Sequence, residues 1–197
     1  YKLDETSGDA IDVINGYNST YLGTVNQGVQ GKIDKAVENT SDGRLKINPQ
    51  SYDQNNLYCS GWFYYDSANS KHFIINNRGN GNTGFFVKIN DNVFAVNFGI
   101  AGLSTQPSGA IDNAWNHFII EKVNGSYNVY INNSLVYTDS SAYQNSINDL
   151  FIGANLDSSG NYISSINFII DELEFRNTPY TTTQRSDLYN NGNGITI

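Results

Sequence analysis

Tyr127-Asn128-Val129-Tyr130-Ile131-Asn132-Asn133-Ser134-Leu135-Val136-Tyr137-Thr138, residues 127–138, reads as two strands folded back on each other. Tyr127, Val129 and Ile131 recur with the period of two that lines one face of a strand. The Asn132-Asn133 pair breaks the run, and asparagine accepts the positive φ that a two-residue hairpin turn requires. Outward from this hairpin, short apolar runs bounded by Asn, Asp, Ser and Gly fall at residues 57–65, 71–76, 84–89, 93–98, 115–122, 127–131, 135–138, 150–152 and 166–175. Lys88-Ile89-Asn90-Asp91-Asn92-Val93 reads as a second hairpin. Strands at this spacing, with no helical pattern between them, predict an all-β antiparallel sandwich occupying residues 1–197 as one domain. One short helix is expected over 181–189, opened by a threonine, with Gly192 just past its end and packed on the sandwich edge. The polar stretch 100–113 reads as a surface loop.

The composition agrees with strands. Charged residues are 15% of the 197, against about 25% in an ordinary globular protein, and Asn, Ser, Thr, Gly and Tyr take their place. A net charge of −8 and the absence of a Lys/Arg cluster exclude a nucleic-acid partner. No apolar run approaches the ~18 residues of a membrane span, so insertion into a bilayer is not expected. The one cysteine, Cys59, leaves no internal disulfide and reads as a buried thiol. There is no methionine, so the chain reads as a processed protein or a piece of a longer one.

Around Trp62, Leu57, Cys59, Gly61 and Phe63 share one face of a strand, and Tyr58, Ser60, Trp62 and Tyr64 share the other. Two bulky faces leave two readings. The strand is central and covered on both sides, or Trp62 and Tyr64 form a platform that stacks on sugar rings. Trp115 reads as closing the core edge, and His117 as structural.

Four segments, spread over almost the whole chain, resemble the laminin-G-like branch of the concanavalin A-like lectin/glucanase superfamily. They are Leu3-Asp4-Glu5-Thr6-Ser7-Gly8; Gly31-Lys32-Ile33-Asp34-Lys35-Ala36-Val37, with Asp34 where a second glycine is usual; Trp115-Asn116-His117-Phe118 with the hairpin that follows; and Ile170-Asp171-Glu172-Leu173-Glu174-Phe175 with the tail Leu188-Tyr189-Asn190-Asn191-Gly192. The resemblance implies a jelly-roll sandwich whose first and last strands adjoin. It also implies a structural Ca2+ on Asp171 together with backbone carbonyls of the opening segment, with Asp4 and Asp9 as further ligands and Asp12 nearby, since calcium takes six to eight oxygen donors. The other reading of Asp171 is a lysine partner or a turn cap. Asp157-Ser158-Ser159-Gly160-Asn161 reads as a plain turn rather than a second cation site.

The Glu-x-Asp-x-Glu arrangement of the glucanase relatives is missing. Strand alternation would set Asp171 opposite Glu172 and Glu174, so no enzyme is expected. The function expected is a non-catalytic adhesion module that recognises carbohydrate on a cell or polymer surface. The alternative is a surface protein of a virus or phage, such as a capsid decoration, head fibre or tail receptor-binding domain, with virion proteins as partners. Either places the chain outside the cell or on a virion.

Overall fold

The computed structural model describes residues 1–53, 56–68, 72–78, 83–90, 93–98, 104–107, 109–123, 126–140, 148–157, 159 and 161–197. Among these, two seven-stranded antiparallel sheets pack face to face. The first runs β12 (Ser134–Asp139), β11 (Ser126–Ile131), β10 (Ala114–Val123), β5 (Cys59–Tyr65), β16 (Phe168–Phe175), β3 (Lys35–Asn39), β2 (Asn26–Gln30). The second runs β1 (Thr20–Leu22), β4 (Arg44–Ile47), β13 (Leu150–Ile152), β6 (Phe73–Asn76), β7 (Phe85–Asn90), β8 (Val93–Phe98), β9 (Ser104–Pro107). A small hairpin, β14 (Ala154–Leu156) and β15 (Tyr162–Ser165), stands apart. One helix, α1 (Thr182–Tyr189), follows the last strand. No helix among the described residues is long and apolar enough to cross a membrane.

The core lies between the sheets because both inner faces are apolar. Phe63 of β5 and Phe118 of β10 meet Phe73 of β6 across the gap, at ring-centroid distances of 4.9 and 4.6 Å. Full burial of each such ring is worth about 1.5–3 kcal/mol. Gly61 sits between them for want of room. A Cβ there would lie 2.9 Å from the Phe118 ring. Cys59 is buried in the same core, and burial pushes its thiol pKa well up, leaving it unreactive.

The opening hairpin forms as its sequence requires. Asn132 and Asn133 have φ of 50° and 63°, and Ile131 pairs with Ser134 across the turn. Asn132 is also tied inward, accepting from the His117 N–H at 3.0 Å and donating to Asn116 Oδ1 at 2.8 Å. Exposed Asn133 makes no such link. Asn133→Gly should therefore stabilise the fold by about 0.5–1 kcal/mol by relieving the left-handed conformation. Urea denaturation checks this, and a loss of stability would contradict it. In the second predicted hairpin Asn90 pairs with Val93, while Asp91 and Asn92 lie outside the described residues.

Two expectations need correction here. The stretch 100–113 is not one loop. Ser104–Pro107 forms β9 against β8, and residues 100–103 and 108 lie outside the description. Nor does α1 sit on the sandwich edge. It lies over the outer face of the first sheet, against the central strands β5 and β10, because its sequence offers Leu188, Arg185 and Tyr189 to three separate partners there.

Candidate functional site

The outer face of the first sheet is set by strand parity. Pairing of β5 with β10 places Trp115 opposite Tyr64, His117 opposite Trp62 and Ile119 opposite Ser60. The chain leaving β16 crosses this face. Tyr180 packs with Tyr58 and Ile119, with Tyr130 and Leu188 against them. Thr181 then caps α1 through a reciprocal box with Gln184, and Asn190 closes it in the left-handed conformation. Arg185 reaches down to Glu121, 2.8 Å away, and that carboxylate also accepts from the Tyr180 N–H at 2.7 Å. Tyr189 stacks on Trp62 with centroids 6.1 Å apart, and the Lys32 ammonium stands 4.9 Å from the Trp62 ring.

Trp62 is consequently only 2% exposed and is not an open stacking surface. Of the two readings of its strand, covering on both faces describes Trp62. The expected Trp62–Tyr64 platform is corrected, because the C-terminal helix lies over its inner half. His117 sits beside Trp62, buried and neutral, its pKa pushed down to about 3 by desolvation.

Tyr64 lies one register step farther out, and both it and its cross-strand neighbour Trp115 are half-buried. Their rings meet edge to face at 5.8 Å. The Tyr64 hydroxyl donates to Asn113 Oδ1 at 2.6 Å. Asn113 is held in a left-handed turn with φ 55°, where Asp112 accepts from the Ser67 N–H and hydroxyl at 2.8 and 2.7 Å. These bonds hold the Asp112 carboxyl below its usual range. The result is an aromatic pair beside amide, hydroxyl and carboxylate groups at one end of the sheet. Trp115 was read as a core-edge residue. Its parity with His117, opposite Phe118 and Ile120, was the signal that it points outward, but apolar Ile119 on the same face obscured it.

The three carboxylates expected to hold calcium are not gathered. Asp171 Oδ2 accepts from the Ile33 N–H at 2.8 Å and Oδ1 from the Glu172 N–H at 2.8 Å. Asp4 Oδ1 accepts from the Lys35 N–H at 2.9 Å. Both side chains thus cap the 31–35 turn, which is the turn-cap reading of Asp171. Asp34 occupies the left-handed position in that turn with φ 56°, which explains why glycine suits the site. Asp9 is exposed and has no part in this arrangement. Among the described residues no three His, Cys, Asp or Glu side chains are grouped to hold a metal. Asp4 and Asp171 thus meet at the same turn, Asp4 through one oxygen and Asp171 through both. The predicted meeting of chain ends does occur. The Leu173 N–H donates to Tyr1 O at 2.8 Å and the Glu172 N–H to Lys2 O at 3.4 Å.

The last strand departs from simple alternation. Asp171 pairs with Trp62 and Glu174 with Ser60, so a bulge separates them and both lie on the outer face. Glu172 sits in the bulge with φ 47°, its Oε2 accepting from the Ile197 N–H at 2.9 Å. The expectation that Asp171 points opposite to Glu174 is corrected: one extra residue at the bulge resets the parity.

A cavity of about 400 Å³ opens beside this bulge, between the 12–15 loop, Leu173–Phe175 and the C-terminal residues Ile195–Ile197. Its lining residues are largely apolar, with Asp12 and Glu174 among them.

No protein-family profile matches the sequence, and no curated protein matches it. Solved structures do. Domain 4 of AbnA, a GH43 extracellular arabinanase from Geobacillus stearothermophilus, solved in complex with arabinotriose, is 16% identical with a TM-score of 0.64, the match covering 91% of this chain and 92% of that one. The binding domain of botulinum neurotoxin serotype D is 16% identical with a TM-score of 0.61, covering 90% of this chain and 48% of that one. A botulinum neurotoxin type C structure, whose cell entry depends on interaction with two ganglioside molecules, is 18% identical with a TM-score of 0.60, covering 90% and 47%. The chain spans about half the length of these toxin chains. At such identities the likeness establishes the fold, an antiparallel β-sandwich, and nothing finer.

Proposed function

We propose that this chain is a non-catalytic binding module, acting outside the cell, that recognises carbohydrate on a cell or polymer surface through Tyr64 and Trp115. The observation that carries the reading is the half-buried, edge-to-face ring pair with the Asn113 amide and the Ser67–Asp112 turn at its border. The apolar face of a pyranose or furanose stacks on such rings, and neighbouring amides and carboxylates bond its hydroxyls. Two kinds of solved neighbour support it: one is complexed with arabinotriose, the other depends on gangliosides for cell entry. The assignment to the laminin-G-like branch rests on the four sequence segments, with Asp34 at the left-handed turn position in keeping with it. No observation favours a virion role.

The test is affinity electrophoresis against arabinan, xylan and β-glucan, together with a glycan array. The protein should be retarded by at least one polysaccharide, and Trp115→Ala should weaken that binding about tenfold. Tyr64→Phe keeps the ring and loses the bond to Asn113, so it should cost less. Unchanged binding by Trp115→Ala would remove this site, and no glycan binding at all would remove the reading.

A further inference from the structure

We infer that a cleft on the outer face of the second sheet, between β6, β7 and β14, binds the carboxylate or sulfate group of an acidic saccharide. It rests on the glycan reading above for the class of ligand, and it shares no residue with the Tyr64–Trp115 pair. Strand parity builds the cleft. Ile75 and Val87 point into the core, so Ile74, Asn76, Phe86 and Lys88 point outward, with Ile74 paired to Lys88 and Asn76 to Phe86. At Gly153, with φ 80°, the chain leaves the second sheet and enters β14, and Asn76 Nδ2 donates to Ala154 O at 3.5 Å. Asn155 and Leu156 of β14 then close one side of the cleft.

The polar chemistry of the cleft is cationic. Arg78 and Lys88 line it, and among the described residues no lining residue is acidic. The Arg78 guanidinium lies 5.7 Å from the Phe86 ring centroid, and Lys88 stands two residues along β7 on the same face as that ring. The other cations of this sheet are already engaged. Lys46 pairs with Asp149 at 2.7 Å, and Arg44 lies 3.9 Å from the Tyr162 ring and donates to Asp42 O at 3.3 Å. Neither Arg78 nor Lys88 forms an ion pair among the described residues. Asp157, next to Leu156, turns its carboxylate into its own loop, accepting from the Ser159 and Asn161 N–H groups at 2.8 and 2.9 Å. Two like charges at one cleft repel each other, and a bound anion offsets both. The guanidinium presents paired donors to an oxyanion, and the ammonium adds a point charge. The cleft volume of about 70 Å³ exceeds the ~30 Å³ share of one water but falls well below the ~300–1,000 Å³ of sites that enclose a whole ligand. It therefore takes a group carried by a larger molecule. Phe86, half-buried beside the cations, supplies apolar contact for the ring that carries the group.

The probes are glucuronate and glucose 6-sulfate, with glucose as the neutral counterpart and inorganic sulfate as the bare anion. Each is titrated into the whole chain and followed by amide chemical shifts. At least one acidic sugar should move the amides of residues 74–78, 86–88 and 155–156. Glucose should bind there at least about tenfold more weakly, and bare sulfate about fivefold more weakly than the better sugar. The tighter of the two sugars identifies the group as carboxylate or sulfate. Lys88→Gln and Arg78→Gln should each weaken that binding about tenfold, with melting temperatures as the control for folding. Retardation by neutral polysaccharides should stay as in the parent. No shift at these amides, glucose binding as tightly as the acidic sugars, sulfate binding as tightly as they do (an adventitious ion only), or a Lys88→Gln variant indistinguishable from the parent would each overturn this inference and leave the Tyr64–Trp115 site standing. Acidic sugars bound at the cleft without any retardation by neutral polysaccharides would do the reverse.

Discussion

Replacing Arg185 by alanine should destabilise the protein by about 3–5 kcal/mol, as expected when one partner of a buried ion pair is removed. Glu121 has no exposure, and its carboxylate is served by Arg185 Nη1 at 2.8 Å and by one main-chain amide from Tyr180. Without the guanidinium, the buried Glu121 carboxylate loses this ion-pair partner. The guanidinium also lies 4.6 Å from the Tyr130 ring and donates to Tyr180 O at 2.7 Å, so the substitution loosens the seat of α1 as well. The melting temperature should fall by about 10 °C. Because Tyr189 of the same helix covers Trp62, the tryptophan emission should move to longer wavelength before the sandwich unfolds. Replacing Glu121 by leucine in the Arg185→Ala background should recover much of the loss, since the buried charge is then gone. A loss below about 1 kcal/mol, or no rescue in the double variant, would mean that the pair is solvated and α1 is held by its apolar contacts alone.

The second large effect is a dependence on pH opposite to that of an ordinary ion-paired carboxylate. Burial, with Glu172 and Asp4 as acidic neighbours, raises the Asp171 pKa to about 7, against two main-chain bonds that lower it. Glu172 is raised in the same direction, chiefly by burial. In the unfolded chain Asp171 loses its proton near 3.8, so between that value and about 7 the folded state binds more protons than the unfolded. Stability from this group is full below about pH 4 and is lost as pH rises through about 7. The protein should be more stable at pH 5 than at pH 8, by up to about 3 kcal/mol if nothing else titrates, since about two pH units of the shift lie in that range. Urea midpoints across that range measure it. Asp171→Asn, though it forfeits one of the two amide bonds, should flatten the slope. A parent protein that gains stability from pH 5 to pH 8 would show that the 31–35 turn holds this carboxyl ionised.

Asp171 and the outer-face aromatic residues owe their surroundings to contacts between distant segments. The hairpin at 131–135, the central strands around Trp62 and His117, and the helix at 181–189 are local. Each is fixed by alternation, by asparagine in a left-handed turn or by a threonine cap, and each forms as expected. Strands β1 to β4, β14 and β15 carry short polar or half-buried sequences, and their pairing is set by the sheet into which they are drawn rather than by their own pattern. The bulge at Glu172 is a single residue out of phase, and it moved Glu174 to the other face.

Sequence alone determined that this chain is an antiparallel sandwich, because periodicity and turn chemistry are properties of neighbours along the backbone; the meeting of its opening segment with its last strand was implied only by the family resemblance. Tertiary structure decided which aromatic residues a ligand can touch and where the cavity lies. Trp62 and Tyr64 have the same parity and nearly the same sequence surroundings, and only the return of the C-terminal helix, more than a hundred residues later, buries one ring and leaves the other accessible. Such coverage depends on contacts between distant segments, which no local pattern encodes.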